Sequence, residues 1–523
     1  ILLFNGELYN FRELGSRYFP EEFCISDTIF LSKLCNLKNF HNLLGEIRGM
    51  YSIAIYDESK NFLNLYRDYF GIKPLFYFIN DEVFIFSSEI KFIINALNLN
   101  NHECNFNEYF ELGYNLENKT IYKKIISLDK NSMLNFDVNK WCSQKKIINE
   151  LNYNKKSVSN TYTINENLKK SIRDSIKRNL VSDKPITILQ SSGLDSNLII
   201  SEMKKYQDSV ESYTINFQEN NFDESKDIRN INKKNSIKSN YVEFSVTDFL
   251  DIFQNYNLIF DQPFFDPSSF PMLKLFKVIK KKYDVAISGD GGDEMFLGYN
   301  RYHLKNNQIL KFLFDFKLIN KNLSTSIIKN LLQFLGYKNV DYKSRKLINF
   351  YIEKNKFKSL YQNINSPNLK SEIYTFEKGG QLDEILHFDI NNYLPNNILY
   401  KSDLVSMAWG VELRVPFLDE DLIVLTSSLK NKIKKKLLFK EMLYENNYYY
   451  PSIPKRGFDV PLSVWVEAIL NNYSFSKLNE HKFENTFHYS YFLNQIEKNV
   501  NDQNKNYLFL FNRLLYLKWS NII

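Results

Sequence analysis

The sequence predicts an α/β protein of two domains, and three observations carry that prediction. Short apolar runs separated by turns fill residues 1 to about 140, the pattern of a sheet-rich domain. From about residue 163 helical stripes alternate with short apolar strands, the rhythm of a parallel sheet. Two glycine-containing loops follow such strands, and open α/β sheets bind ligands at the carboxyl ends of their strands.

Taken in order, Ile1 to Phe4 reads as a strand already under way, which suggests a domain lacking its beginning. Met50 to Tyr56, Phe62 to Tyr66 and Val83 to Phe86 read as further strands, with turns at Gly71, Pro74 and Asp81. From Trp141 to Tyr162 polar residues crowd in and the pattern weakens. The expected division is therefore a first domain over 1–142, a linker over 143–162 and a second domain over 163–523. Leu168, Ile172, Ile176 and Leu180 fall four apart, one stripe of an amphipathic helix. Strands are expected at Ile186 to Leu189, Ser212 to Phe217 and Asp284 to Ile287. Beyond about residue 300 the chain reads as mostly helical, with a stripe at Ile327, Leu331 and Leu335.

Composition narrows the function classes. The apolar fraction of 44% supports large cores. A net charge of +7 is small for 523 residues. Lys280 to Lys282 and Lys434 to Lys436 read as solvated helix ends, so no nucleic-acid partner is expected. Cys24, Cys35, Cys104 and Cys142 form no C-x-x-C pair, which argues against a structural zinc and for a reduced compartment. No run of 18 apolar residues appears, and Ile1 to Asn10 lacks the basic start of a signal peptide. A cytoplasmic protein without a membrane span is the expectation.

The first loop runs from Ser191 to Ser196 after the strand ending at Leu189. Ser191, Ser192 and Gly193 can turn backbone N–H groups toward a phosphate, and a helix N-terminus aims at the same place. Asp195 would repel a bare phosphate, so a magnesium ion between them is needed. A plain strand-to-helix turn would use the same residue types. The loop resembles the S-G-G-x-D-S pyrophosphate loop of the ATP pyrophosphatases, with Ser192 in place of a glycine. A serine keeps its N–H and serves if its φ is tolerated.

The second loop, Ser288 to Glu294, brings Asp290, Asp293 and Glu294 together among Gly289, Gly291 and Gly292. Carboxylates this close need a cation. With Phe296, Gly298, Tyr299, Arg301 and Tyr302 it resembles the S-G-D-G-G-D-E…F-x-G-Y-x-R-Y signature of the asparagine synthetase family. Lys401, Asp403, Ser406, Met407 and Ala408 are similar to that family's K-x-D-x-x-S-M-A element. Glu412 to Asp419 is similar to its E-x-R-x-P-F-L-D, and Pro454 to Phe458 to its P-K-x-G-F. Asp261 to Phe264, with Asp266, resembles D-E-P-F-x-D, with Gln262 for Glu. Leu404 stands where relatives carry Arg.

What the resemblance implies is specific. Leu189, Ser191, Ser192, Gly193, Asp195, Ser196, Ile215, Ser288 and Gly289 would bind ATP. Asp195 and Asp293 would hold magnesium. Asp290 would lie near aspartate, and Lys455 would stabilise the transition state of amide formation. The fold implied is an ATP-pyrophosphatase-like (PP-loop) α/β domain with a helical C-terminal part.

Asn5 to Asn10 resembles the N-G-E-I-Y-N motif of class II glutamine amidotransferases, although Asn-Gly alone is a common hairpin turn. Arg67-Asp68…Gly71-Ile72…Pro74-Leu75 and Ser88-Glu89…Lys91 extend the match. By that resemblance the domain is an αββα Ntn-type fold, incomplete here. Asn5 and Gly6 would supply an oxyanion hole, while Glu7 and Asp27 would hold the α-ammonium of glutamine. The family's nucleophile is an N-terminal Cys, which cannot be placed. Cys24 lies downstream of the motif and reads as a buried, small apolar residue. The implied substrates are aspartate, glutamine and ATP, and a homodimer is compatible with the family. The alternative is the same chemistry on another carboxylate, such as a sugar acid of a surface polysaccharide.

Overall fold

Alternation of side chains builds the N-terminal half. In this computed structural model, which describes residues 1–21, 24–38, 40–98, 104, 106–148, 161–219, 222–299, 386–428, 435–451, 453, 459–473, 496 and 506–521, the first strands are β1 (Leu2–Leu8), β2 (Gly49–Asp57) and β3 (Phe62–Arg67). Next come β4 (Phe76–Ile79), β5 (Phe84–Ser87), β6 (Ile126–Ser127), β7 (Ser132–Asp137) and β8 (Cys142–Ile147). They form an antiparallel sheet in the order β1-β2-β3-β7-β8 and a smaller one, β5-β4-β6. Successive residues of a strand face opposite ways. Tyr51 and Ile53 therefore join Leu8, Phe30, Leu31 and Tyr66 beneath the helices Phe11–Tyr18 and Asp27–Leu34. Ala54 faces the other way, in one core with Leu65, Leu134, Tyr77 and Leu128 shared by both sheets. The helix Ile90–Leu97 buries Ile90 and Ile93 beyond the small sheet. The layers are thus α, β, β, α. Each fully buried Leu, Ile or Phe stabilises them by about 1.5–3 kcal/mol.

The stretch expected as a linker opens instead with β8, whose six residues are all exposed. Its register with β7 runs from Ser132↔Ile147 to Asp137↔Cys142. An edge strand wet on both faces has no apolar pattern, so only the backbone ladder reveals it. Cys24 is buried in the first core, as expected.

The third sheet is parallel. Its strands are β9 (Ile186–Leu189), β10 (Glu211–Phe217), β11 (Lys238–Phe244), β12 (Val285–Ile287) and β13 (Glu412–Arg414), in the order β11-β10-β9-β12-β13. The helices Leu194–Met203, Ser225–Asn235 and Ser269–Ile279 pack on it, and β12 is buried throughout. The chain moves outward from β9 to β11, then returns to place β12 on the other side of β9. Strand order reverses there, opening a crevice at the carboxyl ends of β9 and β12. Of the stripe expected over Leu168, Ile172, Ile176 and Leu180, the first three are buried along the helix Thr161–Asn179, while Leu180 lies just past its end and is half-buried. Far along the chain, Trp465 stacks on Phe249 at 4.7 Å and lies near Phe270 and Phe511. The last helix, Tyr507–Trp519, accepts a 2.6 Å hydrogen bond from Tyr109 of the N-terminal half at the Asn512 carbonyl.

All three sheets belong to one compact unit, Ile1–Gly291 with Pro395–Ile523, and Gly292–Leu394 forms another. In the latter, Met295 and Phe296 are buried, and Tyr299 donates to Glu294 at 2.6 Å. Leu297 has φ +53°, a left-handed conformation costly for a residue with a Cβ. Arg301, Tyr302 and the stripe at Ile327, Leu331 and Leu335 lie outside the described residues. Among the described residues no helix is long and apolar enough to cross a membrane.

Candidate active site

The loop after β9 is held by its own small side chains. The Ser191 N–H donates to Ser196 Oγ at 3.2 Å, and Gly193 N–H donates to Ser191 Oγ at 3.2 Å. Asn197 Nδ2 donates to the Gly193 carbonyl at 2.7 Å, and Tyr450 OH to the Ser192 carbonyl at 2.9 Å. The helix begins at Leu194, just before Asp195. Ser192 is absent from the residues with positive φ, so serine meets no backbone strain in the glycine's place. One expected anion donor is already engaged, because the Ser192 N–H donates to Glu224 at 2.9 Å.

The second loop leaves β12 beside it. A Cβ on Gly289 would stand 3.0 Å from the Asp195 Cβ and 3.4 Å from the Ser196 nitrogen. The two loops therefore touch at the strand-order reversal, and only a residue without a side chain allows that approach. Gly291, at φ +82°, leaves room for Leu418 of the P-F-L-D segment, 2.3 Å from where its Cβ would lie. Ser288 is buried, and the Asp290 N–H donates to its hydroxyl at 3.4 Å. Ile215 is buried mid-strand in β10. Asp293 belongs to the other unit, in the short helix Gly292–Met295, where its carbonyl accepts the Gly298 N–H at 2.9 Å. Lys455 lies outside the described residues.

Lys436 corrects one expectation. The Lys434 to Lys436 run was expected as a solvated helix end, yet Lys436 pairs with the Asp195 carboxylate. The helix Lys435–Glu445 packs on the helix Leu194–Met203, which brings the two charges together. No local pattern signals such a pairing, since a helix-end lysine looks the same in water. Glu224 and Tyr450 were missed for the same reason.

The helix Tyr400–Met407 borders this region. Lys401, buried, reaches Asp266 at 3.3 Å and the Ser268 hydroxyl at 2.9 Å. Ser402 donates to Asp290 Oδ2 at 2.7 Å. Asp403 pairs with Lys73 of the N-terminal half at 2.9 Å. Asp68 presents that lysine by accepting the N–H groups of Phe70, Ile72 and Lys73 at 2.9–3.1 Å. Gln262 accepts from Asn115 at 3.2 Å and from the Ile121 N–H at 3.1 Å. This departure from the family pattern thus serves the junction of the two halves.

The Asn5-Gly6 pair lies within β1 rather than in a turn. Asn5 donates to Ser88 Oγ at 3.0 Å, joining two of the motifs. Gly6 has φ +152°, and a Cβ there would meet the Met50 carbonyl oxygen at 2.0 Å. Asp27 accepts the Leu8 N–H at 3.1 Å, and its charge is felt at Glu7. Burial pushes the Glu7 carboxyl up to about 7; Arg414 opposes this, while Glu412, Asp27 and Asp183 add to it. Arg414 leaves the end of β13, bonds Glu412 at 2.6 Å and stands 3.6 Å from Glu7.

Among the described residues no three His, Cys, Asp or Glu side chains gather as a metal cage. A magnesium ion carried by nucleotide phosphates needs only one or two carboxylates and keeps waters. Asp195, facing the Gly289 loop, has the chemistry for that, and Lys436 competes with such an ion for its carboxylate.

Two family models match the chain. One described as asparagine synthase covers residues 167–518, and one described as a glutamine amidotransferase domain covers residues 1–146. A Methanocaldococcus jannaschii protein, provisionally named asparagine synthetase (glutamine-hydrolyzing) 2, is 33% identical over 306 residues. That match spans 57% of this chain and 59% of that protein. Asparagine synthetase (glutamine-hydrolyzing) 1 of Bacillus subtilis is 25% identical over 559 residues, spanning 100% of this chain and 85% of that protein. Among solved structures, a glutamine phosphoribosylpyrophosphate amidotransferase from B. subtilis aligns at a TM-score of 0.21. Its identity is 12%, over 46% of this chain and 45% of that one.

Proposed function

This chain belongs to the asparagine synthase family, and we propose that it amidates L-aspartate to L-asparagine at the expense of ATP, with glutamine as nitrogen donor. The observation that carries the reading is the contact of Gly289 with Asp195, which joins the two loops at the crevice between β9 and β12. An aspartate carboxylate oxygen attacks the α-phosphorus, a β-aspartyl-adenylate forms and pyrophosphate leaves. Ammonia then attacks the acyl carbon, and AMP departs with the electrons of the broken C–O bond.

Leu189, Ser191, Ser192, Gly193, Asp195, Ser196, Ile215, Ser288 and Gly289 are the proposed nucleotide contacts. Asp195 and Asp293 would hold magnesium, which offsets charge on the phosphates. Asp290 would face the acceptor, and Lys455 would offset charge as the amide forms. In the N-terminal half, Asn5 and the Gly6 N–H would stabilise an oxyanion, and Glu7 and Asp27 would hold the glutamine ammonium. The proposed domains are a first over 1–142, extended by the edge strand β8 to Ile147, and a second over 163–523.

Pyrophosphate release from ATP and magnesium tests this, with aspartate plus ammonium chloride or glutamine. Release that requires aspartate is expected. Release that ignores aspartate but follows a sugar acid would replace the acceptor and leave the family chemistry standing.

A further inference from the structure

Three consecutive residues of the helix Tyr400–Met407 meet three different partners. Lys401 pairs with Asp266, Ser402 donates to Asp290, and Asp403 pairs with Lys73. Successive helical residues are turned by about 100°, so one turn can serve three neighbouring segments. Asp290 differs from the other aspartates here. Asp195 is offset by Lys436, Asp266 by Lys401 and Asp403 by Lys73. Among the described residues no Lys, Arg or His stands within ion-pair distance of Asp290. Its Oδ2 instead accepts a 2.7 Å hydrogen bond from Ser402, which is 3% exposed. A hydroxyl fixes a carboxylate's direction without cancelling its charge. A carboxylate so orientated, with no cation beside it among the described residues, suits a ligand that brings its own.

We propose that Ser402 is a positioning residue that holds the Asp290 carboxylate toward an ammonium group on the amide acceptor. The proposal rests on the reading of Asp290 as the acceptor-facing carboxylate. It narrows the acceptor to an amino acid rather than a sugar acid without an amine.

The test is pyrophosphate release with ammonium chloride as nitrogen source, varying aspartate and ATP separately, for the unaltered protein, Ser402→Ala and Ser402→Thr. Ser402→Ala should raise KM for aspartate about tenfold, or about 1.4 kcal/mol, while KM for ATP stays within about twofold. Ser402→Thr, which keeps the hydroxyl, should restore most of the aspartate KM. An unchanged aspartate KM in Ser402→Ala would overturn the proposal. So would an equal rise in both KM values, or a fall in kcat alone, since a role confined to packing predicts those. No aspartate-dependent release from the unaltered protein would overturn the proposed function itself, and this inference with it.

Discussion

The Arg414 guanidinium, at the end of β13 in the parallel sheet, lies 3.6 Å from the Glu7 carboxylate in β1 of the antiparallel sheet. It also sits over the Tyr9 ring at 5.3 Å and donates to the carbonyls of Asn179 and Val181. The E-x-R element of one half thus ends in the N-G-E motif of the other.

Glutamine binding should depend on pH through Glu7. Its carboxyl is raised to about 7, chiefly by burial, so below that pH it is mostly protonated and cannot offset an ammonium. Affinity should fall about tenfold per unit below pH 7 and level off above it. Calorimetric titration of glutamine from pH 5 to 9 would show this, and Glu7→Gln should flatten the profile. For stability the sign is opposite. The folded state holds a proton that the unfolded chain has lost, so the contribution of this group is full below its ordinary value of 4.5 and is lost as pH rises through about 7.

Lys436 occupies the carboxylate proposed for magnesium. Lys436→Gln should tighten magnesium binding in the absence of nucleotide by about tenfold, the worth of about 1.4 kcal/mol of competing charge. A magnesium titration followed by thermal shift would register it. Unchanged affinity would separate Asp195 from the metal.

Gly289→Ala should weaken ATP binding and cost about 1–3 kcal/mol of stability. Its Cβ would press on the Asp195 Cβ at 3.0 Å, tighter than ordinary contact. Denaturant melts and nucleotide titrations of the variant check both effects.

Leu297→Gly should stabilise the protein by about 1 kcal/mol. Leu297 is only partly buried, and its φ of +53° carries a penalty that glycine escapes. A midpoint of denaturant unfolding higher than that of the unaltered chain is the expected result.

Local pattern carried much of this protein. The strands at Met50 to Tyr56, Ile186 to Leu189 and Ser212 to Phe217 were legible because their apolar side chains alternate or run unbroken into a core. The two loops were legible because tight backbone geometry and clustered charge demand glycine, serine and aspartate at fixed spacing. β8 was not legible, for an edge strand with six exposed residues leaves no hydrophobic trace.

The sequence by itself therefore determined a strand-rich first half, a second half built on a parallel sheet, the loop after each of β9 and β12, and the family these imply. Such features rest on neighbours in the chain, where side-chain period and turn chemistry act. Only the tertiary structure decided that Gly289 abuts Asp195, that Lys436 offsets that aspartate, and that Ser402 and Arg414 reach Asp290 and Glu7. Each of these pairs joins segments far apart in the chain. Charge and hydrogen bonding act over a few ångströms of space, and sequence separation says nothing of which residues will come within that range.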